Sequence, residues 1–239
     1  MDPSLNGLLK WSIQNSTAAT DAPADPNAPA ADPTSTDTQP FNPRALDPAL
    51  LQQLLGGPSD ADLMKDAMSA IQNPEVDLEN KLIAFDNFEQ LVEGIDNANN
   101  LEPLKLWVPL VEQLDNTEAE MRKYAAWCIG TSVQNNVKAQ ETLNSLGAIP
   151  TLIKLATSDP SQQTRKKSIL ALSSAIRNYQ PNLDVALKYL SGEHKVDGAV
   201  DATDMEAVDP IISKLREASA KLGDGGTNGA SCGVDGVCI

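Results

Sequence analysis

Histidine is nearly missing from this sequence: among 239 residues there is one, His194, in the weakly patterned stretch SGEHKVDGAV. A Ser/His/Asp triad, a His-rich zinc site or an HExxH motif each needs an imidazole on a well-formed element, so these plans are excluded and His194 reads as a solvated loop residue. Aromatic residues are also scarce, 4% of the chain against 41% hydrophobic overall. A core made of Leu, Ile, Val and Ala suits helix stacking. Positive charge is the third shortage. Lys and Arg number 18 against 33 Asp and Glu, a net charge of −15. Phosphate binding needs a basic patch, so nucleic acid is excluded as a partner, and anionic membrane surfaces are disfavoured.

Cysteine is rare too: Cys128, Cys232 and Cys238. Cys128 lies in the apolar stretch KYAAWCIGTSV and reads as a small buried hydrophobe. Cys232 and Cys238 have no zinc spacing, and Gly236 stands where a prenylation box needs Cys. An odd count without a disulfide framework fits a reducing cytosol. No stretch approaches the roughly 18 consecutive apolar residues of a membrane span. The N-terminal MDPSLNGLLKWSIQNST fails as a signal peptide, because Asp2 comes first and Asn6 and Lys10 interrupt its apolar part. GDGGTNG follows no strand and opens no helix, and Asp197, Asp201, Asp204 and Asp209 lack EF-hand spacing. The expectation is a protein that is not an enzyme, with no cofactor, metal or small-molecule substrate.

What is present is helical punctuation. Residues 1–16 form an apolar segment, and 17–40 a disordered Pro/Ala/Asp tether with prolines at 23, 26, 29, 33 and 40. Residues 41–190 form the repeat domain, 191–222 a degraded repeat or capping helix, and 223–239 a disordered tail. Asp47 and Pro48 suit the start of a helix that Gly56 closes. Leu63, Met64, Ala67, Met68 and Ile71 repeat at helical spacing up to Asn73-Pro74. Pro74 is placed to open the next helix, whose Leu82, Phe85, Phe88 and Val92 share a face.

The repeat decides the fold class. Pro109, Val111 and Leu114 recur as Pro150, Leu152 and Leu155 at a spacing of 41. Arg122, Lys123, Ile129, Val133 and Asn135 recur as Arg165, Lys166, Leu172, Ile176 and Asn178 at a spacing of 43. Phe88 and Val92 mark an earlier unit opposite Ile129 and Val133. A helical period just above 40 predicts an all-α, armadillo- or HEAT-like solenoid with a concave face. The helices starting near Arg122 and Arg165 would line the concavity, and those after Pro109 and Pro150 would lie behind it. Asn97, Asn99, Asn100, Asn135, Asn136, Arg177 and Asn178 then fall in a polar row at one edge of the groove. On the residues alone, recognition and helix capping explain that row equally well.

The stretches LLKWSIQNS, LLQQLLGG, NPEVDLENKLIAFDNFEQLVEGIDNANN, LKLWVPL and IGTSVQNN, covering residues 4–16 and 46–190, resemble the fungal Fes-type nucleotide-exchange factors of cytosolic heat-shock protein 70. Their animal counterpart is the heat-shock-protein-binding protein. The resemblance implies a cytoplasmic, monomeric co-chaperone that clasps the chaperone's ATPase domain, promotes ADP release and thereby substrate release. It implies groove contacts near Ala98 and along Asn135–Asn136, and a substrate-release segment of Leu5, Leu8, Leu9, Trp11 and Ile13. Further repeats of longer relatives are missing or degraded beyond Pro181. The alternative is a general armadillo scaffold that binds extended peptides or another protein in its groove.

Leu5, Leu8, Leu9 and Ile13 share one helical face with Trp11 at its margin, so the segment either docks on the array or acts as a tethered recognition element. Removing residues 1–40 is expected to leave ADP release by the chaperone near its full rate while slowing release of a bound fluorescent peptide. If both rates fall together with the melting temperature, the segment is a structural cap.

Overall fold

The computed structural model describes residues 56–195 and 198–223, and its helices belong to the unit from Pro58 onward. The N-terminal segment, the tether, the helix expected at Asp47, and Cys232 and Cys238 lie outside the described residues. Every regular element among those described is helical. Helix α1, Asp60–Gln72, starts where the Ser59 side chain accepts the Asp62 N–H, and stops at Asn73 before Pro74. It buries Met64, Ala67, Met68 and Ile71 but leaves Leu63 exposed. Helix α2, Leu78–Val92, does not start at Pro74 as the sequence predicted. Asp77 accepts the Asn80 N–H and sets the start, a cap that proline has no side-chain acceptor to supply.

The units then follow one another. Helices α3 (Ile95–Asn100), α4 (Trp107–Glu112, extended by a 3-10 turn over Gln113–Asp115) and α5 (Ala119–Val133) form one. Helices α6 (Val137–Ser145), α7 (Ala148–Ser158) and α8 (Gln162–Ile176) form the next. Helix α9 (Gln180–Tyr189), a short 3-10 turn at Gly192–His194 and helix α10 (Met205–Leu222) complete the series. The sequence pattern suggests two helices per repeat, with a variable linker between. In the structure that linker is a 3-10 turn and a short loop after α4, and the helix missing from the pattern is α6, which follows the polar ending at Asn135–Asn136; three helices per unit is the armadillo form. Pro109 and Pro150 each sit in a first turn, where the missing N–H is no loss. Gly147 at φ 66° turns the chain from α6 into α7, a left-handed conformation that glycine adopts freely.

Helices α2, α5, α8 and α10 pack side by side, each against the next. The α5–α8 contact is set by a glycine. A Cβ placed on Gly130 would stand 2.9 Å from Cα of Ala171, so the two backbones approach closely there. Around this crossing Ile129, Val133, Leu172, Ala175 and Ile176 are fully buried. Apolar burial of this kind contributes about 25 cal/mol per Å2 and is the main force holding the stack.

Two arginines clasp successive units. Arg122 donates Nε and Nη2 to the Asp159 carboxylate at 2.7 and 3.0 Å, and Nη1 to the Asn116 and Thr117 carbonyls at 2.8 Å each. Arg165, its repeat partner, is wholly buried. Its Nη1 donates to the Asp159 carbonyl at 2.6 Å and that of Pro160 at 3.2 Å. Nε reaches the Ser219 hydroxyl at 3.1 Å, and Nη2 the carbonyls of Ser219 at 3.0 Å and Gly223. Among the described residues no acid pairs with Arg165 as Asp159 pairs with Arg122. Carbonyls at the end of α10 take that role, where the helix dipole is negative.

In an open helix, glycine to alanine gains about 1 kcal/mol. At Gly130 the sign should reverse: Gly130→Ala is expected to lose about 1–3 kcal/mol in urea unfolding, because α5 and α8 must part to admit the methyl group. Arg165→Met leaves buried carbonyls without donors and should cost on the order of 3 kcal/mol. Amide hydrogen exchange should then rise in α10 before it rises in α1 and α2; uniform exchange across all helices would contradict the clasp.

Candidate functional site

Helix α5 is inside on most of its circumference: Met121, Ala125, Ala126, Cys128, Ile129, Ser132 and Val133 are buried. Glu120, Lys123, Tyr124, Trp127 and Thr131 remain partly open, spaced three and four apart and therefore on one stripe. The repeat carries this stripe onto α8 as Lys166, Lys167, Leu170 and Ser174, and onto α2 as Ile83, Asp86 and Gln90. Leu170 is 42% exposed and Ile83 53%. The open face of the three adjacent helices thus carries apolar side chains and lysines together.

The centre of the face is aromatic. The Phe85 and Tyr124 rings stack with centroids 5.9 Å apart, and Tyr124 and Trp127 lie 5.7 Å apart. Lys167 Nζ sits 3.3 Å from the Trp127 ring centroid and Lys123 Nζ 4.7 Å from that of Tyr124. Lys123 also pairs with Glu120. Glu89, nearly buried below, accepts the Thr131 hydroxyl at 2.7 Å. Burial pulls the Lys167 ammonium below the ordinary lysine pKa; Lys123 adds to this and Glu89 opposes it. Burial and the nearby Glu89 push the Cys128 thiol well up, so it is an inert core residue rather than a nucleophile.

Of the residues that the sequence set in one polar row, Asn97, Asn136 and Arg177 are engaged within the array. Ala98 is 2% exposed and packs inside the array. Asn97 donates Nδ2 to the Asp60 carboxylate at 2.8 Å and to the Leu91 carbonyl at 3.0 Å. Asn136 is buried as the cap of α6, accepting the Ala139 N–H at 3.2 Å and donating to the Ser132 carbonyl at 3.3 Å. Arg177 donates to the Ser173 hydroxyl at 3.0 Å and to Asp209 at 2.6 Å, tying α8 to α10. Asn135 and Asn178 adopt left-handed backbone, φ 52° and 58°, just past the ends of α5 and α8. Asparagine tolerates that conformation, which explains the pair at repeat spacing. Asn99 is half-buried; Asn100, Asn135 and Asn178 are exposed. Leu5, Leu8, Leu9, Trp11 and Ile13 lie outside the described residues.

Tyr124, Trp127, Lys167 and Leu170 were not singled out by sequence pattern, although one signal was present. In a chain with three Trp and three Tyr, two of these six, Tyr124 and Trp127, lie one turn apart on one helix. Among the described residues no group of His, Cys, Asp and Glu is arranged to hold a metal ion, and no helix is long and apolar enough to cross a membrane.

The family model described as "Nucleotide exchange factor Fes1" matches residues 5–101, and that of the "SIL1/FES1/HPBP1 C-terminal domain" matches 97–189. A Gibberella zeae protein named Hsp70 nucleotide exchange factor FES1 is 52% identical over 225 residues, covering 92% of this chain and 99% of its own length. A Coccidioides immitis protein of the same name is 50% identical over 92% of this chain and its whole length. The Neurospora crassa protein named Hsp70 nucleotide exchange factor fes-1 is 48% identical over 90% of this chain and 98% of its own. With identity at this level from end to end of its relatives, the chain belongs to the Fes1 family of nucleotide exchange factors.

Proposed function

We propose that this chain is a nucleotide exchange factor of cytosolic Hsp70, acting as a monomer on the chaperone's ATPase domain through the α2–α5–α8 face. The single observation that carries this reading is about 50% identity over nearly whole chains to relatives bearing that name. The geometry supports it with a rigid, mixed apolar and cationic face that stands ready for a protein surface.

The mechanism is linkage. ADP is held between two lobes of the ATPase domain, and a rigid array that fits the opened lobe arrangement better than the closed one shifts the population by the ratio of its two affinities. Each tenfold preference is about 1.4 kcal/mol. Stiffness is therefore functional. The Gly130 crossing and the two arginine clasps keep the face from adapting to the closed form. No covalent bond is made or broken by the factor, and ATP rebinding completes the cycle.

Release of a fluorescent ADP analogue from purified Hsp70 measures the activity directly. The chain should accelerate release at saturation, and Leu170→Asp, on an exposed position, should lower the acceleration about tenfold or more without changing the melting temperature. Absence of acceleration by the unaltered chain, with binding of extended peptides regardless of chaperone nucleotide state, would make it a general armadillo scaffold.

Ala98→Arg tests the placement of the polar row. Because Ala98 is buried, the substitution should cost about 1–3 kcal/mol through overpacking, and any loss of exchange should follow the loss of fold. Exchange lost at an unchanged melting temperature would return Ala98 to the contact surface.

A further inference from the structure

Charge is unevenly distributed across the α2–α5–α8 face. On the α2 side the acids are engaged: Glu89 accepts from Thr131, and Asp86 accepts from Gln90 Nε2 at 3.1 Å. On α5, Glu120 is taken by Lys123. Helix α8 differs from both. Its sequence, QQTRKKSILALSSAI, holds three basic residues and no acid, in a chain of net charge −15. Arg165 points inward to the clasp, whereas Lys166 is exposed and Lys167 lies over Trp127. Among the described residues no carboxylate stands within ion-pair distance of Lys166 or Lys167. One turn further on, Leu170 is left open beside them.

A lysine in this position is incompletely compensated. Its ammonium leans on the Trp127 ring and has lost part of its water; Glu89 attracts it from below, without an ion pair, and Lys123 repels it. A carboxylate arriving from outside would meet two ammonium groups without ion pairs, that of Lys167 already oriented by the platform and that of Lys166 exposed next to it, with an apolar contact adjacent. We infer that the partner presents an acidic side chain flanked by an apolar one to Lys166, Lys167, Trp127 and Leu170, so that this corner of the face selects the partner by charge. The inference rests on the Hsp70 reading for the identity of the partner and adds the chemistry of the contact. It also gives a strongly acidic chain a local patch of opposite sign that can receive an acidic group and fix its orientation.

Isothermal titration of the whole chain into the Hsp70 ATPase domain, at about 0.05 M and about 0.5 M salt, tests the contact against screening. Binding should weaken severalfold at the higher salt. The double substitution Lys166→Glu and Lys167→Glu should weaken low-salt binding about tenfold or more and remove most of the salt dependence, whereas Lys166→Arg with Lys167→Arg should stay within about twofold of the unaltered chain. Lys166→Glu alone changes an exposed residue, keeps the fold, and should weaken binding at least about threefold at an unchanged melting temperature. If the unaltered chain accelerates ADP release while Lys166→Glu and the double reversal both bind as it does, the charge contact is wrong and the exchange function stands. If the unaltered chain neither binds Hsp70 nor accelerates release, both readings fall.

Discussion

The close approach of α5 and α8 at Gly130 is the constraint from which the rest of the array takes its geometry. With no side chain on one helix, the Ala171 backbone of the other can come within a distance that any Cβ would forbid. That approach brings the open stripes of both helices together. Lys167 on α8 can then stand over Trp127 on α5, and Thr131 can reach back to Glu89 on α2. A larger residue at position 130 would move the face apart as well as loosen the core.

Around this crossing the units are locked by two arginines, Arg165 wholly buried and Arg122 largely so, and burial of that kind is costly. A guanidinium taken out of water carries a desolvation cost of several kcal/mol, offset only when nearly every donor finds an acceptor. Arg122 meets that condition with a bidentate carboxylate and two carbonyls, and Arg165 with four carbonyls and a hydroxyl. Each arginine binds carbonyls in the turn of its own unit and a group of the next. The repeat therefore propagates a rigid register, and α10 closes the series by offering carbonyls where a further unit would have offered an acid.

In the proposed function, rigidity and surface chemistry combine at the aromatic platform. A soft array would follow the chaperone's lobes wherever they moved and would exert no preference between them. A stiff one has a preference, and its size is the difference in binding free energy between the two lobe arrangements. The polar row of asparagines serves that stiffness: Asn97 and Asn136 hold turns, and Asn135 and Asn178 allow the tight reversals between units.

By itself the sequence determined the helical class, the period, and most of what lies inside. Leu, Ile and Ala at helical spacing must bury one face, and repetition near every 41 to 43 residues forces neighbours to cover each other. Phe85, Phe88, Val92, Ile129, Val133, Leu172 and Ile176 were legible for that reason. The third helix of each unit was not, because Val137–Ser145 is short and its burial comes from two flanking helices rather than from a strong stripe of its own. The candidate site was less legible still. Lys123 and Lys166 look like ordinary solvated charges along the chain, and Ala98 and Asn136 look available. Only tertiary packing decided that Ala98 and Asn136 face inward, that Arg165 is a buried clasp, and that a lysine from one unit lies on a tryptophan from the unit before it. Contacts between residues some forty positions apart depend on the angle and distance at which two helices cross, and those follow from the fit of all the side chains between them rather than from any local pattern.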